Sequence, residues 1–94
     1  MKIRQTHDHV VVSICDAQLL GKTLIDGKIT FNVSEDFYGG DLVDMETCLK
    51  SLKMATIANM IGNVTVEAAK NAGLVHETAV LYIDGNAHAQ WVRL

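Results

Sequence analysis

The sequence contains no proline, only two cysteines and only five aromatic residues among its 94 positions. Because there is no proline, the seven glycines are the main residues that can mark turns and the ends of helices and strands. With so few cysteines and no secretory context, a disulfide is not expected, and Cys15 and Cys48 are predicted to be buried thiols. No stretch approaches the roughly 20 apolar residues of a membrane span, and the N-terminal residues lack the apolar core of a signal peptide. We therefore expect a cytoplasmic protein with no membrane partner.

Basic residues are few and scattered, which gives a net charge of −3. Proteins that bind nucleic acid draw affinity from clustered Lys and Arg, so direct nucleic-acid binding is not favoured. Acidic residues are concentrated between Ser34 and Glu46, a segment without a single base. This acidic segment is typical of a solvated, helix-capping surface, and a docking patch for a basic partner or a cation is the alternative.

The length allows one hydrophobic core, and the composition is that of a folded chain, with 49% hydrophobic and 20% charged residues. We therefore predict a single domain over 1–94. A domain of this size buries only about 60–65% of the surface of its unfolded chain, so an oligomer interface would add stability. A homo-oligomer is accordingly left open.

The N-terminal half is predicted to form strands. The β-branched segment 9–15 is typical of a buried strand, and Lys2–Thr6 is expected to pair with it as a hairpin. One helical turn should follow, capped by Asp16 and ended by Gly21. Residues 28–33 alternate in polarity after an Asp-Gly turn, which predicts another strand of the same sheet.

Two helices and a hairpin are predicted in the remainder. Apolar residues at helical spacing indicate a helix over 44–55, with its buried stripe formed by Met45, Cys48, Leu49 and Leu52. A second helix, capped by Asn63, is expected over 64–72, and a β-hairpin over 79–94 turns at Asp84-Gly85. A two-residue turn would place Ile83 opposite Asn86 and Leu81 opposite His88. The predicted core face of this hairpin carries Val80, Tyr82, Ala87, Ala89 and Trp91, and the mixed face carries Leu81, Ile83, His88, Gln90 and Val92. The segment 34–40 is predicted to be a loop because two glycines follow its acids. The fold class is α+β, a largely antiparallel sheet with two helices inserted before a C-terminal β-hairpin.

No motif in the sequence specifies a catalytic reaction. Residues 16–23 imitate the end of a phosphate-binding loop, but Asp16 replaces its first glycine and would repel phosphate. His7 and His9 are better explained as solvated residues of a hairpin tip than as metal ligands. A cysteine nucleophile is not supported, because burial makes a thiol inert. We therefore predict no metal site and no cofactor, and the catalytic residues, if any, are unknown.

Six short strings of the chain resemble an archaeal family of small proteins known only as a domain of unknown function. The strings span nearly the whole chain and cover residues 12–16, 20–22, 34–40, 58–62, 73–76 and 88–90. The most specific is Ser34–Gly40, and Trp91 departs from the aliphatic residue expected there. The resemblance implies an archaeal, cytoplasmic protein and carries no established reaction, ligand or cofactor.

Two functions remain open from the sequence. We favour a non-enzymatic interaction or accessory protein that binds another macromolecule, with a link to translation or RNA processing, through its acidic loop and polar sheet edge. The alternative is a small enzyme or ligand-binding protein that uses the polar groups around Asp36, Tyr38 and His88. The predicted binding residues are Asp16, Glu35, Asp36, Tyr38, Gly39, Gly40, Asn59 and His88. Phe37 is expected to anchor the loop in the core and to leave the Tyr38 hydroxyl facing outward.

Overall fold

The computed structural model describes residues 1–93 of the chain. Its strands are β1 Lys2–Gln5, β2 Val10–Cys15, β3 Thr23–Asp26, β4 Ile29–Asn32, β5 Ile57–Ile61, β6 Leu81–Ile83 and β7 Asn86–Val92. Its helices are α1 Glu35–Tyr38, α2 Met45–Met54 and α3 Asn63–Asn71. The last residue of the predicted C-terminal strand, Leu94, lies outside the described residues. None of the helices among residues 1–93 combines the length and apolar character needed to cross a membrane.

Five strands form the main sheet, in the order β1-β2-β5-β7-β6. Every neighbouring pair is antiparallel except β2 and β5, which are parallel. The predicted α+β fold with a largely antiparallel sheet is therefore confirmed. The hairpin register is confirmed as well, with Ile83 opposite Asn86 and Leu81 opposite His88. Asp84 and Gly85 both have positive φ, 50° and 76°, as a two-residue hairpin turn requires.

The central strand β5 was not predicted. It lies between α2 and α3 and joins the N-terminal β1–β2 hairpin to the C-terminal hairpin. Five residues with a polar Asn59 in the middle are too short for periodicity to distinguish a strand from the end of a helix. Pairing with β2, more than forty positions earlier, is what makes this segment a strand.

Strand β4 does not belong to the main sheet, contrary to the prediction. It pairs with β3 in a separate two-stranded sheet, and this hairpin packs over the second face of the main sheet. Because the β3–β4 hairpin covers the second face, the predicted division of the C-terminal hairpin into a core face and a mixed face is partly wrong. Ile83, predicted to lie on the mixed face, is buried under the β3–β4 hairpin, whereas Tyr82, predicted to lie in the core, is exposed.

The first face of the main sheet is covered by α2 and α3. Cys48 and Leu52 of α2 are buried there, with Met45 and Leu49 packed beside them, so the predicted stripe is confirmed. The helix begins after Asp44, whose carboxylate accepts a hydrogen bond from the Thr47 N–H at 2.8 Å. This cap fixes where the preceding segment ends and the helix starts.

The segment 34–40 contains one α-helical turn, where a loop was predicted. The Ser34 hydroxyl accepts hydrogen bonds from the N–H groups of Asp36 (3.1 Å) and Phe37 (3.3 Å), which caps this turn. Gly39 ends α1 after four residues. The two glycines limit the helix to a single turn but do not prevent it.

Candidate binding site

A pocket of about 280 Å³ lies at the carboxyl end of β2, beyond the first residue of its antiparallel neighbour β1. The last pair of the β1–β2 ladder joins Lys2 to Ser13, so Ile14 and Cys15 extend past their neighbour. Segment 39–43, which connects α1 to α2, and the start of α3 also line the pocket. This is also the carboxyl end of the parallel pair β2–β5, the end at which sheets with parallel strands bind ligands.

Asp16 lines the pocket but its carboxylate caps α3. The two carboxylate oxygens accept hydrogen bonds from the Val64 N–H (3.1 Å), the Thr65 N–H (2.9 Å) and the Thr65 hydroxyl (2.7 Å). A Cβ at Gly62, whose φ is 125°, would collide with this carboxylate. Asp16 is thus a structural cap supplied by a distant strand, and it does not cap the turn that follows it.

Asn63 is not the cap that the sequence predicted. It is the first residue of α3, and its side-chain amide is used elsewhere. The Asn63 amide donates to the Gly85 carbonyl at 3.1 Å and accepts from the Ala87 N–H at 2.8 Å. These bonds attach the start of α3 to the C-terminal hairpin, which leaves the capping of α3 to Asp16.

Segment 39–43 approaches the first residue of the chain closely. The Met1 nitrogen donates to the Asp41 carbonyl at 3.0 Å, and the Asp41 N–H donates to the Met1 carbonyl at 3.2 Å. Gly40 has a φ of 154°, and a Cβ there would collide with the Met1 carbonyl. The second glycine of the Ser34–Gly40 string therefore has a steric role, because it allows the wall of the pocket to close on β1.

The pocket has an apolar interior and an apolar rim. Ile14, Met45 and Cys48 belong to its lining and also to the main core. Three further lining residues are large aliphatic side chains that face water: Leu42 is 88% exposed, Val64 65% and Leu20 36%. Exposed aliphatic side chains grouped at a concave opening are typical of a binding site.

The charge around the pocket is negative. Asp16 and Asp41 are the only charged side chains that line it among the described residues, and no Lys, Arg or His side chain does so. Segment 39–43 lies within the acidic segment Ser34–Glu46. Met1 also lines the pocket, and its N-terminal ammonium adds one positive charge that opposes these two carboxylates. Two carboxylates against one ammonium leave a small excess of negative charge, which favours a ligand or partner with positive charge.

The two thiols and the phenol of the pocket are held in their neutral forms. Burial raises the pKa of both Cys15 and Cys48 above the ordinary thiol value. Burial, and to a smaller extent the neighbouring Cys15, raises the pKa of Tyr38 to about 12. Protonated thiols are poor nucleophiles and poor metal ligands, so neither cysteine is activated at neutral pH.

Four of the eight predicted binding residues line this pocket: Asp16, Tyr38, Gly39 and Gly40. Tyr38 is 3% exposed and packs in the core beside the half-buried Phe37, so the expected outward-facing hydroxyl is wrong. Its ring lies edge-on to Phe37, with centroids 4.9 Å apart. Tyr38 is therefore the main anchor of this segment, the role that the sequence analysis assigned to Phe37.

Glu35 and Asp36 are exposed on α1 and do not line the pocket. The backbone of this helical turn is tied to β1, because the Lys2 ammonium donates to the Asp36 carbonyl at 2.8 Å and the Arg4 guanidinium donates to the same oxygen. The Arg4 guanidinium also lies 5.3 Å from the centre of the Phe37 ring. These contacts hold α1 against the sheet while both carboxylates remain in water.

Asn59 and His88 lie on the second face of the sheet, away from the pocket lining. Asn59 pairs with Ser13 on one side and Gln90 on the other, within a row of polar residues across three strands. His88 is half-buried against Phe31, with ring centroids 5.0 Å apart, and burial lowers the pKa of its imidazole. The eight predicted residues therefore do not form one site.

Sequence reasoning missed the three aliphatic residues of the rim. Leu42 carries a signal, since it is a large apolar residue within the acidic segment. Val64 also lies off the buried stripe of α3, which runs through Val66 and Ala69. Neither signal distinguishes exposure from burial until the fold is known. Among residues 1–93, no group of three or more His, Cys, Asp or Glu side chains could hold a metal ion.

Comparison with known proteins places the chain in a family. Residues 4–94 match the model of the family described as protein of unknown function (DUF424). The chain belongs to the DUF424 family. It is also similar to the crystal structure of an uncharacterized conserved protein from Methanopyrus kandleri, with 27% identity and a TM-score of 0.82. That similarity covers 99% of this chain and 90% of the other, and no curated protein matches the sequence.

Proposed function

We propose that this DUF424 protein is a non-enzymatic binding module that docks a basic segment of another protein in the pocket at the end of β2. The exposed aliphatic rim formed by Leu20, Leu42 and Val64 carries the proposal. Solvating three such side chains around one opening is unfavourable, and an apolar side chain of a partner would remove them from water. A volume of about 280 Å³ is at the lower end of the range for ligand sites and suits one or two large side chains.

Charge complementarity supports a polypeptide with Lys or Arg beside its apolar residues. Among the described residues, the pocket lining carries the carboxylates of Asp16 and Asp41 against the single N-terminal ammonium of Met1, and Asp41 belongs to the acidic segment Ser34–Glu46. Rim charges of this kind steer association and select against acidic partners. Proteins that act on RNA are rich in clustered Lys and Arg, so we place the partner in translation or RNA processing, in the cytoplasm.

A catalytic use of the same pocket has less support. Its two thiols have raised pKa values, and no histidine lies in the lining to serve as their base. His88 is engaged against Phe31 on another part of the molecule. Nucleophilic catalysis requires a nucleophile and a base within hydrogen-bond reach of each other, which these residues do not provide.

The test compares two matched substitutions, Leu42→Asp at the rim and Leu81→Asp on β6, which is 66% exposed and does not line the pocket. Tagged wild-type and variant proteins are recovered from native cells, and the bound proteins and nucleic acids are identified. We expect Leu42→Asp to lose a basic protein partner that Leu81→Asp retains, with equal unfolding midpoints for both variants. The purified partner should then bind the wild type directly and more weakly as salt rises.

Two results would contradict the proposal. The first is a partner that binds wild type, Leu42→Asp and Leu81→Asp equally, because the pocket would then have no part in recognition. The second is recovery of an acidic protein, or of nucleic acid with no bound protein, because neither is the basic protein partner that the proposal requires.

A further inference from the structure

The Tyr38 hydroxyl opens into the pocket, although the Tyr38 side chain is almost entirely buried. Tyr38 lines the pocket and is 3% exposed. Among residues 1–93, the side-chain polar atoms that are sealed from solvent and lack a hydrogen-bond partner are Ser13 Oγ and Trp91 Nε1. The Tyr38 hydroxyl also forms no hydrogen bond within these residues, but it is not sealed. Its exposed part therefore lies in the space that Tyr38 lines, which is the pocket.

The groups beside this hydroxyl leave it without a strong partner. Cys15 packs in the same cluster, and a neutral thiol is a weak donor and a weak acceptor. The Asp16 carboxylate already accepts three hydrogen bonds from the start of α3. A pKa of about 12 keeps the Tyr38 phenol protonated at neutral pH, so it can both donate and accept. The apolar interior of the pocket thus contains a phenol hydroxyl with which a ligand can pair.

We propose that the side chain of the partner that enters the pocket is a tyrosine, whose ring fills the apolar interior and whose hydroxyl pairs with the Tyr38 hydroxyl. This inference rests on the proposed function and specifies the anchor residue of the basic segment. Each phenol can serve as donor or acceptor, so one hydrogen bond forms in either direction. Tyrosine suits such a position because it combines a large apolar area with a polar end, and it is enriched among the residues that dominate interface energies.

The pocket selects against other kinds of side chain. A leucine or phenylalanine would cover the Tyr38 hydroxyl and leave it unpaired, which is unfavourable. A lysine or arginine would bury its charge among apolar residues and next to the Met1 ammonium, and an acidic side chain would approach the carboxylates of Asp16 and Asp41. A neutral phenol avoids each of these penalties. The Lys and Arg residues of the partner are therefore expected outside the pocket, along the acidic segment Ser34–Glu46.

The experiment compares probes that differ by one hydroxyl group. Isotope-labelled protein is titrated with p-cresol, the side-chain analogue of tyrosine, and with toluene, the side-chain analogue of phenylalanine. The blocked peptides Lys-Lys-Ala-Tyr-Ala-Lys-Lys and Lys-Lys-Ala-Phe-Ala-Lys-Lys are titrated in the same way. Resonances of Leu42 and Val64 report binding at the pocket. In each pair we expect the probe with the hydroxyl to bind at least about tenfold more tightly, because it alone satisfies the Tyr38 hydroxyl.

Tyr38→Phe is the decisive variant, because it removes the hydroxyl and keeps the ring that packs beside Phe37. In this variant the preference for p-cresol over toluene should fall at least about tenfold. Tyr82→Phe is the matched control, since Tyr82 is 63% exposed and does not line the pocket, and it should leave the preference unchanged. Unfolding midpoints show whether each variant retains the fold. If Tyr38→Phe does not fold, the preference of the wild type decides alone.

The outcomes separate the tyrosine anchor from the proposed function. The anchor is wrong and the proposed function stands if the peptides shift Leu42 and Val64 but the wild type binds both members of each pair equally. The same conclusion follows if folded Tyr38→Phe keeps the preference of the wild type. If neither peptide shifts a resonance of the pocket at about 1 mM, both are wrong, whether or not p-cresol binds.

Discussion

The carboxylate of Asp16 should be one of the most important polar groups for stability. It holds the first turn of α3 through the N–H groups of Val64 and Thr65 and through the Thr65 hydroxyl. Replacing a helix cap by alanine costs about 0.5–2 kcal/mol, and leaving buried donors unsatisfied adds about 1–3 kcal/mol. Because Asp16 and Thr65 are both buried, we expect Asp16→Ala to lower the free energy of unfolding by about 2–4 kcal/mol. Urea denaturation measures this, with the exposed Asp41→Ala as a control that should change it by less than about 0.5 kcal/mol.

The close contact between the Asp16 carboxylate and residue 62 can be measured with a substitution of Gly62. Its Cβ would meet the Asp16 carboxylate, so Gly62→Ala combines that collision with the strain of a positive φ. Removing the carboxylate removes the collision, and Gly62→Ala should therefore cost less in the Asp16→Ala background than in the wild type. A double-mutant cycle gives the coupling, expected between about 0.5 and 3 kcal/mol. A loss below about 0.5 kcal/mol for Asp16→Ala would show that the cap contributes little, whereas strict additivity with Gly62→Ala would show that the carboxylate does not restrict the residue at position 62.

Two further predictions concern the two faces of the sheet. Leu52→Ala should cost about 2–5 kcal/mol because this residue of α2 is fully buried against the sheet, and truncation of the half-buried Leu49 to alanine should cost less. Equal costs in urea denaturation would contradict this difference. Burial lowers the pKa of His88, so the folded state favours the neutral imidazole. The free energy of unfolding should therefore fall as the pH drops below about 6.5, the pKa of an unfolded histidine, toward the lower pKa of the folded state. His88→Gln should reduce this dependence relative to the exposed control His7→Gln, and identical pH profiles for the two variants would show that His88 does not contribute to it.

The parts of the fold that sequence predicted correctly depend on neighbouring residues. The hairpin register follows from Asp84-Gly85, because only a few residue types accept two consecutive positive φ values. Helix α2 follows from the Asp44 cap and the spacing of its apolar residues. Each of these signals lies in the same segment as the hairpin or helix that it determines, so they can be interpreted without knowing which distant segments pair.

The parts that were missed depend on contacts between distant segments. Strand β5 exists because Ile57–Ile61 pairs with β2 and β7, and its own five residues show no decisive period. Asp16 was assigned to the turn that follows it, whereas its bonds reach Val64 and Thr65, 48 and 49 positions away. A capping residue supplied by another element leaves no local pattern at the helix that it caps.

In the candidate site, the sequence could not show which leucine side chains are exposed and which are buried. Leu42 and Leu52 are both leucines, yet Leu42 is 88% exposed beside a pocket and Leu52 is buried on the inner side of α2. Burial of Leu52 follows from helical spacing, but Leu42 lies in a non-helical connection where no periodicity assigns a direction to its side chain. The bonds between Met1 and Asp41, together with the buried Tyr38, hold segment 39–43 at the end of β2, and in that place the exposed leucine becomes part of a rim. The value of Leu42 as a test of function follows from this position, because its replacement removes apolar surface at the opening without removing a core contact.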